Sequence, residues 1–237
     1  MTKHELLKRA FQFKESSCTI ISEREQGIEI AKSSIKRNYT LLENYIEDQP
    51  KFLHSLKPLI IKDGPKVVRL MAEASLKTDV GPMASVAGVI ADLAVRDMVK
   101  IGCKVAVVEN GGEISAYSNQ SIDIAFVAGD ESLSKIMGFR LNQFPIGVAT
   151  SSGRFSHAFS FGDADAVTIF AINAGLADAA ATAVANMIKG DNVREIIQQG
   201  IDRGLNIDGV KGIFILYRDV VGKAGQTADL IKVNPKE

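Results

Sequence analysis

Asp178 and Thr182 stand four residues apart within a run of small residues, AGLADAAATAVA, that follows Asn173. On a helix that spacing puts both side chains on one face. A carboxylate and a hydroxyl near a helix start suit a hard cation, and the helix N-terminus itself favours phosphate oxygens. The same two residues also have plainer uses. Asp178 can complement the helix dipole, and Thr182 can bond its own helix backbone. Upstream lies Thr150-Ser151-Ser152-Gly153, a small polar turn, with Ser156-His157 just beyond. A histidine there can act as a base or phosphate contact, or as a local hydrogen-bond partner. Asn110-Gly111-Gly112 is a third candidate. Its glycines allow close approach of a ligand, or simply close a tight hairpin.

These residues need elements to position them. Residues 166–172 are apolar and read as a strand leading into the alanine-rich helix. Residues 104–109 read as a buried strand, and 114–117 and 122–127 as further strands in a meander. Gly81-Pro82 breaks the chain ahead of a helix running from near Pro82 to Ile101. Its first half carries Ala84, Ser85, Ala87 and Gly88, small enough for another backbone or a ligand to come close. Residues 8–13 and 18–22 flank a polar turn and predict a hairpin. An amphipathic helix follows over 23–47, with shorter helical pieces from Pro50 to Pro58 and from Pro65 to about Lys77. Residues 191–202 predict a helix capped near Asp191, and 210–216 and 228–233 two closing strands. Successive strands on short turns argue for an α+β fold, a mixed, largely antiparallel sheet flanked by helices. With no long linker, the 237 residues are expected to form one domain with a helical N-terminal portion over about 23–77.

Composition narrows the function classes. Lys plus Arg and Asp plus Glu number 28 each, so there is no basic excess to grip nucleic acid. No apolar run is long enough to span a bilayer, and the N-terminus has charges of both signs rather than a signal pattern. A soluble cytoplasmic chain is expected. Cys18 and Cys103 form no metal-binding spacing and read as buried thiols of a reducing compartment, with a reactive role for one of them left open. The stripe on 23–47 can pack internally or across a homo-oligomer, and the pattern does not choose.

Four segments taken in order carry a family resemblance. They are Asp79-Val80-Gly81 before its small-residue helix, Glu109-Asn110-Gly111-Gly112-Glu113-Ile114, Thr150-Ser151-Ser152-Gly153 with Ser156-His157, and Ala177-Asp178-Ala179-Ala180-Ala181-Thr182-Ala183. This order resembles the ApbE-like family, whose best-known members are FAD:protein FMN transferases. There a DxGxxAKG helix start, an N-x-GG-[DE] turn, a TSG…SH turn and an ADALATA helix follow one another. The match covers residues 78–188, and the ADAAATA segment is its most specific part. The short length and long N-terminal helix resemble a branch of the family seen in methanogens and other anaerobes. One departure stands out: the family's Lys after Ala84 is replaced by Ser85.

The resemblance implies an ApbE-like fold and a flavin-dinucleotide ligand or substrate, FAD. Asp178 and Thr182 would ligate Mg²⁺, which bridges to the pyrophosphate. Gly111 and Gly112 would admit a phosphate or ring. Thr150, Ser151, Ser152, Gly153 and Ser156 would line the phosphate path, and His157 would sit near the reacting centre with Asp178. Asp79, Ala84, Ser85 and Asn110 complete the implied cofactor-binding set, Asp79 helping to hold the first helix turn or polarising a water or metal ligand. The implied activity is FMN transfer from FAD to an acceptor protein, or FAD pyrophosphate hydrolysis. Two alternatives remain open: a flavin- or nucleotide-binding protein without turnover, and an accessory factor in anaerobic sulfur (homocysteine) assimilation working through Cys18 or Cys103.

Overall fold

Strand alternation and helix periodicity sort this chain into a broad sheet with helices on one face and a small sheet on the other. The computed structural model describes residues 6–125, 137–151 and 162–232. A hairpin of β1 (Leu7–Phe13) and β2 (Ser16–Ser22) opens it. α1 (Glu25–Asp48) follows and buries Ile28, Ala31, Ile35 and Leu42, the stripe its periodicity predicts. α2 (Lys51–His54) and α3 (Lys66–Thr78) come next, then a 3₁₀ turn at Pro82–Ser85 that leads directly into α4 (Val86–Lys100).

The strands β3 (Val105–Asn110), β4 (Glu113–Ser118), β5 (Ile122–Ala125), β6 (Met137–Leu141), β7 (Ile146–Ser151) and β8 (Ala166–Ala171) then run in order. α5 (Ala174–Ala185) and α6 (Val193–Leu205) precede β9 (Val210–Tyr217), β10 (Val220–Gly225) and β11 (Asp229–Lys232). Eight strands form one sheet in the order β1-β2-β3-β4-β7-β8-β9-β10, and β11-β6-β5 form a second. Every pairing among the described residues is antiparallel.

The period of two along each strand divides the core. Cys18, Ile20, Ala106 and Val108 face α1 and α4. Ala149, Val167, Ile169, Ile213 and Ile215 face α5 and α6. On the opposite face Val107, Ile114, Val148, Phe170 and Phe214 meet Ile122, Phe139 and Leu141 of the small sheet. There Phe139 packs edge-on against Phe170 with ring centroids 5.1 Å apart.

The expected meander is corrected at one point. β5 does not continue beside β4 but joins β6 and β11 in the second sheet. Ser118 turns back on Gln120 through its hydroxyl, and this local bonding replaces ladder bonds where the chain leaves. β6 and β10 were not expected. β10 is a glycine-bearing edge strand with alternate residues exposed, so it lacks an apolar run. The helix expected from Asp191 opens instead at Val193, with Asp191 paired to Arg218. Among the described residues no single helix is long and apolar enough to cross a membrane.

Candidate functional site

α4 and α5 cross so closely that neither tolerates a side chain at the contact. A Cβ on Gly88 would lie 2.3 Å from the Ala174 carbonyl oxygen, and one on Gly175 would lie 2.4 Å from Val89 Cγ2. The small residues of these two segments therefore admit each other's backbone first. At the crossing each helix caps the other. Asp92, seven residues into α4, accepts from Ala174 N at 2.9 Å and Gly175 N at 2.8 Å, the first two N–H groups of α5. It also accepts from Ser115 Oγ on β4 at 2.7 Å. In return Asp178 of α5 accepts from Gly88 N, near the start of α4, at 3.0 Å. Orphan helix donors and two carboxylates are satisfied together.

This places Asp178 at a carboxylate-rich corner. Burial, then the charge of Asp92, pushes its carboxyl up to about 7, against the Gly88 hydrogen bond. Glu113, first residue of β4, is raised well above the usual range by burial, then by the charges of Asp178 and Glu109. Burial also raises Asp92 despite its three hydrogen bonds. Among the described residues no Lys, Arg or His pairs with Asp178 or Glu113. Buried carboxyls raised in this way, with no described cation beside them, make this corner a candidate functional site. Thr182 lies one turn beyond Asp178, partly buried, and its hydroxyl has no hydrogen-bond partner among the described residues. Asp178 Oδ1 likewise has none.

The glycine turn sits beside this corner. Asn110 and Glu113 pair across it, and Gly111 and Gly112 take φ of 67° and 112°, as a two-residue hairpin turn requires. Their N–H groups are already used: Gly111 donates to Ser17 O at 3.0 Å and Gly112 to Glu109 Oε1 at 2.8 Å. Space at Gly112 is open, with no described atom within 4 Å of where a Cβ would stand. Asn110 is buried; its amide donates to Ala87 O at 3.1 Å and accepts from Cys18 Sγ at 3.4 Å. It thus ties the turn to the first residues of α4.

Other expected site residues have different surroundings. Asp79 is the left-handed stop of α3 at φ 59°, not part of the first turn of α4, and its exposed carboxylate lies 4.0 Å from Lys57. Ser85 is buried with its hydroxyl donating to Pro82 O at 3.0 Å. Ala84 packs against Ala74, Val80, Ala179 and Ala183. Thr150 and Ser151 alternate on β7. Thr150 pairs with Thr168 Oγ1 at 2.9 Å on the face toward the small sheet, which turns Ser151 to the α5 face. Ser152, Gly153, Ser156 and His157 lie outside the described residues. Both thiols are buried, and burial, then the charge of Glu109, pushes Cys18 up to about 12.

Glu113 stands in the turn motif with no role implied for it, and Asp92 lies in none of the four motif segments. Their importance comes from strands and helices distant in sequence, so no local pattern announces it. Among the described residues no three His, Cys, Asp or Glu side chains converge enough to hold a metal by themselves.

A family model described as AbpE bacteria matches residues 3–203. A UPF0280 protein of Methanococcus maripaludis (strain C7) is 38% identical over 229 residues, covering 94% of this chain and 92% of that one. Another UPF0280 protein, from Methanocaldococcus jannaschii, is 36% identical over 234 residues, covering 97% and 95%. Among solved structures, the apo flavinyl transferase ApbE of Pseudomonas stutzeri superposes with a TM-score of 0.60 at 14% identity, over 93% of this chain and 94% of its own. The ApbE protein of Thermotoga maritima gives 0.59 at 13% identity, over 93% and 97%. At these identities the two structures share the fold with this chain.

Proposed function

The chain belongs to the ApbE-like family, and on that premise we propose that it binds a flavin dinucleotide through a divalent cation and cleaves the pyrophosphate. The products are AMP and FMN, the FMN passing to a protein hydroxyl or to water. The observation that carries this reading is the Asp178–Thr182 face of α5, where a carboxylate oxygen and a hydroxyl, neither with a hydrogen-bond partner among the described residues, stand one turn apart beside Glu113. The Pseudomonas stutzeri protein of like fold is a flavinyl transferase, which supports the choice of ligand.

The donor set fits Mg²⁺. All candidate ligands are hard oxygens, and Mg²⁺ keeps most of its positions for water and phosphate. Two protein oxygens from Asp178 and Thr182 would hold it, with the remaining positions left to ligand oxygens. Bound there, the cation would neutralise charge developing on the pyrophosphate. The chain's own residues prepare that place. Gly88 N–H holds one Asp178 oxygen and leaves the other without a partner among the described residues. Asn110 fixes the glycine turn to α4, and Gly112 leaves room for a bulky group. Asp79, Ala84, Ser85, Thr150 and Ser151 act, on this reading, by shaping the surrounding backbone. His157 with Ser152, Gly153 and Ser156 is proposed as the base and phosphate path.

Binding without turnover is a second reading, favoured by Ser85 where the family's Lys would stand. A role through a reactive thiol loses support, because the Cys18 thiolate is strongly disfavoured and Cys103 is buried. Incubation with FAD and Mg²⁺, followed by chromatography for AMP and FMN, tests the proposal. AMP release that disappears in Asp178→Ala supports cleavage. Retained flavin with no AMP supports the second reading. Absence of any flavin affinity contradicts both.

A further inference from the structure

A cleft of about 600 Å³ opens away from the Asp178 corner, between α3, α4, the N-terminal end of α5 and the middle of β4. It contains none of Asp178, Thr182, Glu113, Gly111 or Gly112. Its walls are apolar, from Leu70, Val95, Val99, Ile146, Ile172 and Leu176. Ile172 is 45% exposed and Tyr117, also on the wall, 38% exposed, although both are large apolar bodies. The volume falls in the range of small-molecule sites, which combine apolar walls with few polar groups.

Positive charge gathers on the α4 side of the cleft. Arg96 and Lys100 stand four apart on α4 and share the cleft face. Lys100 pairs with Asp97, whose charge is already met by Arg37, so that group keeps a net positive charge. Arg96 is exposed and, among the described residues, has no ion pair or hydrogen bond. On the α3 side Lys77 is paired with Asp208 at 2.9 Å, and Glu73 places a negative charge on the wall opposite α4. At the floor, Asp92 has both oxygens occupied by α5 and Ser115. We infer that this cleft is a second binding site, taking an amphiphilic organic anion whose apolar body fills the cavity and whose acidic group meets Arg96 and Lys100. This site does not depend on the dinucleotide reading.

A paired-dye titration of the full chain tests it. 8-Anilinonaphthalene-1-sulfonate carries the anionic group, and N-phenyl-1-naphthylamine has the same ring system without it. Saturable one-site binding is expected, tighter for the sulfonate. Arg96→Glu should weaken the sulfonate about tenfold and spare the neutral dye, while Arg96→Lys retains most affinity. Val99→Trp should block both dyes by filling the cavity. Should it fail to fold by circular dichroism, Arg96→Glu alone carries the comparison. Asp178→Asn should bind both dyes as wild type does. No saturable binding, unchanged sulfonate affinity in Arg96→Glu, or loss of both dyes in Asp178→Asn would overturn the inference.

Discussion

Burial first, and then the charge of Asp92, make Asp178 hold its proton more tightly than a free carboxyl does, with no described cation beside it. Its folded pKa of about 7 exceeds the ordinary 3.8. Between those values the unfolded chain releases a proton that the folded chain keeps, so the group's effect on stability falls as pH rises through that window and then levels off. Without metal, Asp178→Asn should therefore raise the melting temperature more at about pH 8 than at about pH 5. The asparagine oxygen can still accept from Gly88, so the geometry survives. Equal gains at both pH values would show that the charge is not strained. Thr182→Val should leave the fold intact and weaken Mg²⁺-linked stabilisation, measured as the metal-induced shift in melting temperature. At this scale type and spacing put Asp178 and Thr182 on one helix face, and the cation reading came only with the order of the surrounding motifs. Glu113 was not legible, because its neighbour Asp178 comes from a helix folded over its strand.

The crossing of α4 and α5 is the element on which the site depends. Asp92→Ala would strip three donors of their acceptor at once. Leaving buried donors unpaired costs about 1–3 kcal/mol each at most sites, and urea denaturation should register a loss of at least that order. Gly88→Ala forces a methyl toward the Ala174 carbonyl at 2.3 Å. Backbone on the far side cannot yield as a flexible side chain would, so overpacking of about 1–3 kcal/mol is expected. A stable Gly88→Ala protein with unchanged Mg²⁺ response would contradict the tight crossing. The sequence revealed the small residues and allowed either a backbone or a ligand as their reason. It could not show that Asp92 and Asp178 exchange caps, since each partner lies more than 80 residues away.

For the whole molecule, helix periodicity and apolar strand runs made most elements readable, and the motif order pointed to the fold that solved structures share. The second sheet was not readable, because β6 and β11 are short and their partners are set by where β5 leaves the main sheet. That small sheet closes one face and leaves α4 and α5 on the other, with the Asp178 corner and the separate cleft at different places along them. The central claim is that a cation on Asp178 and Thr182 grips the dinucleotide's phosphates. Calorimetric titration of FAD into wild type and Asp178→Asn, with and without Mg²⁺, addresses it most directly. Binding that requires Mg²⁺ and vanishes in Asp178→Asn is the predicted result. FAD binding of equal strength without the metal, or undiminished in the variant, would contradict it.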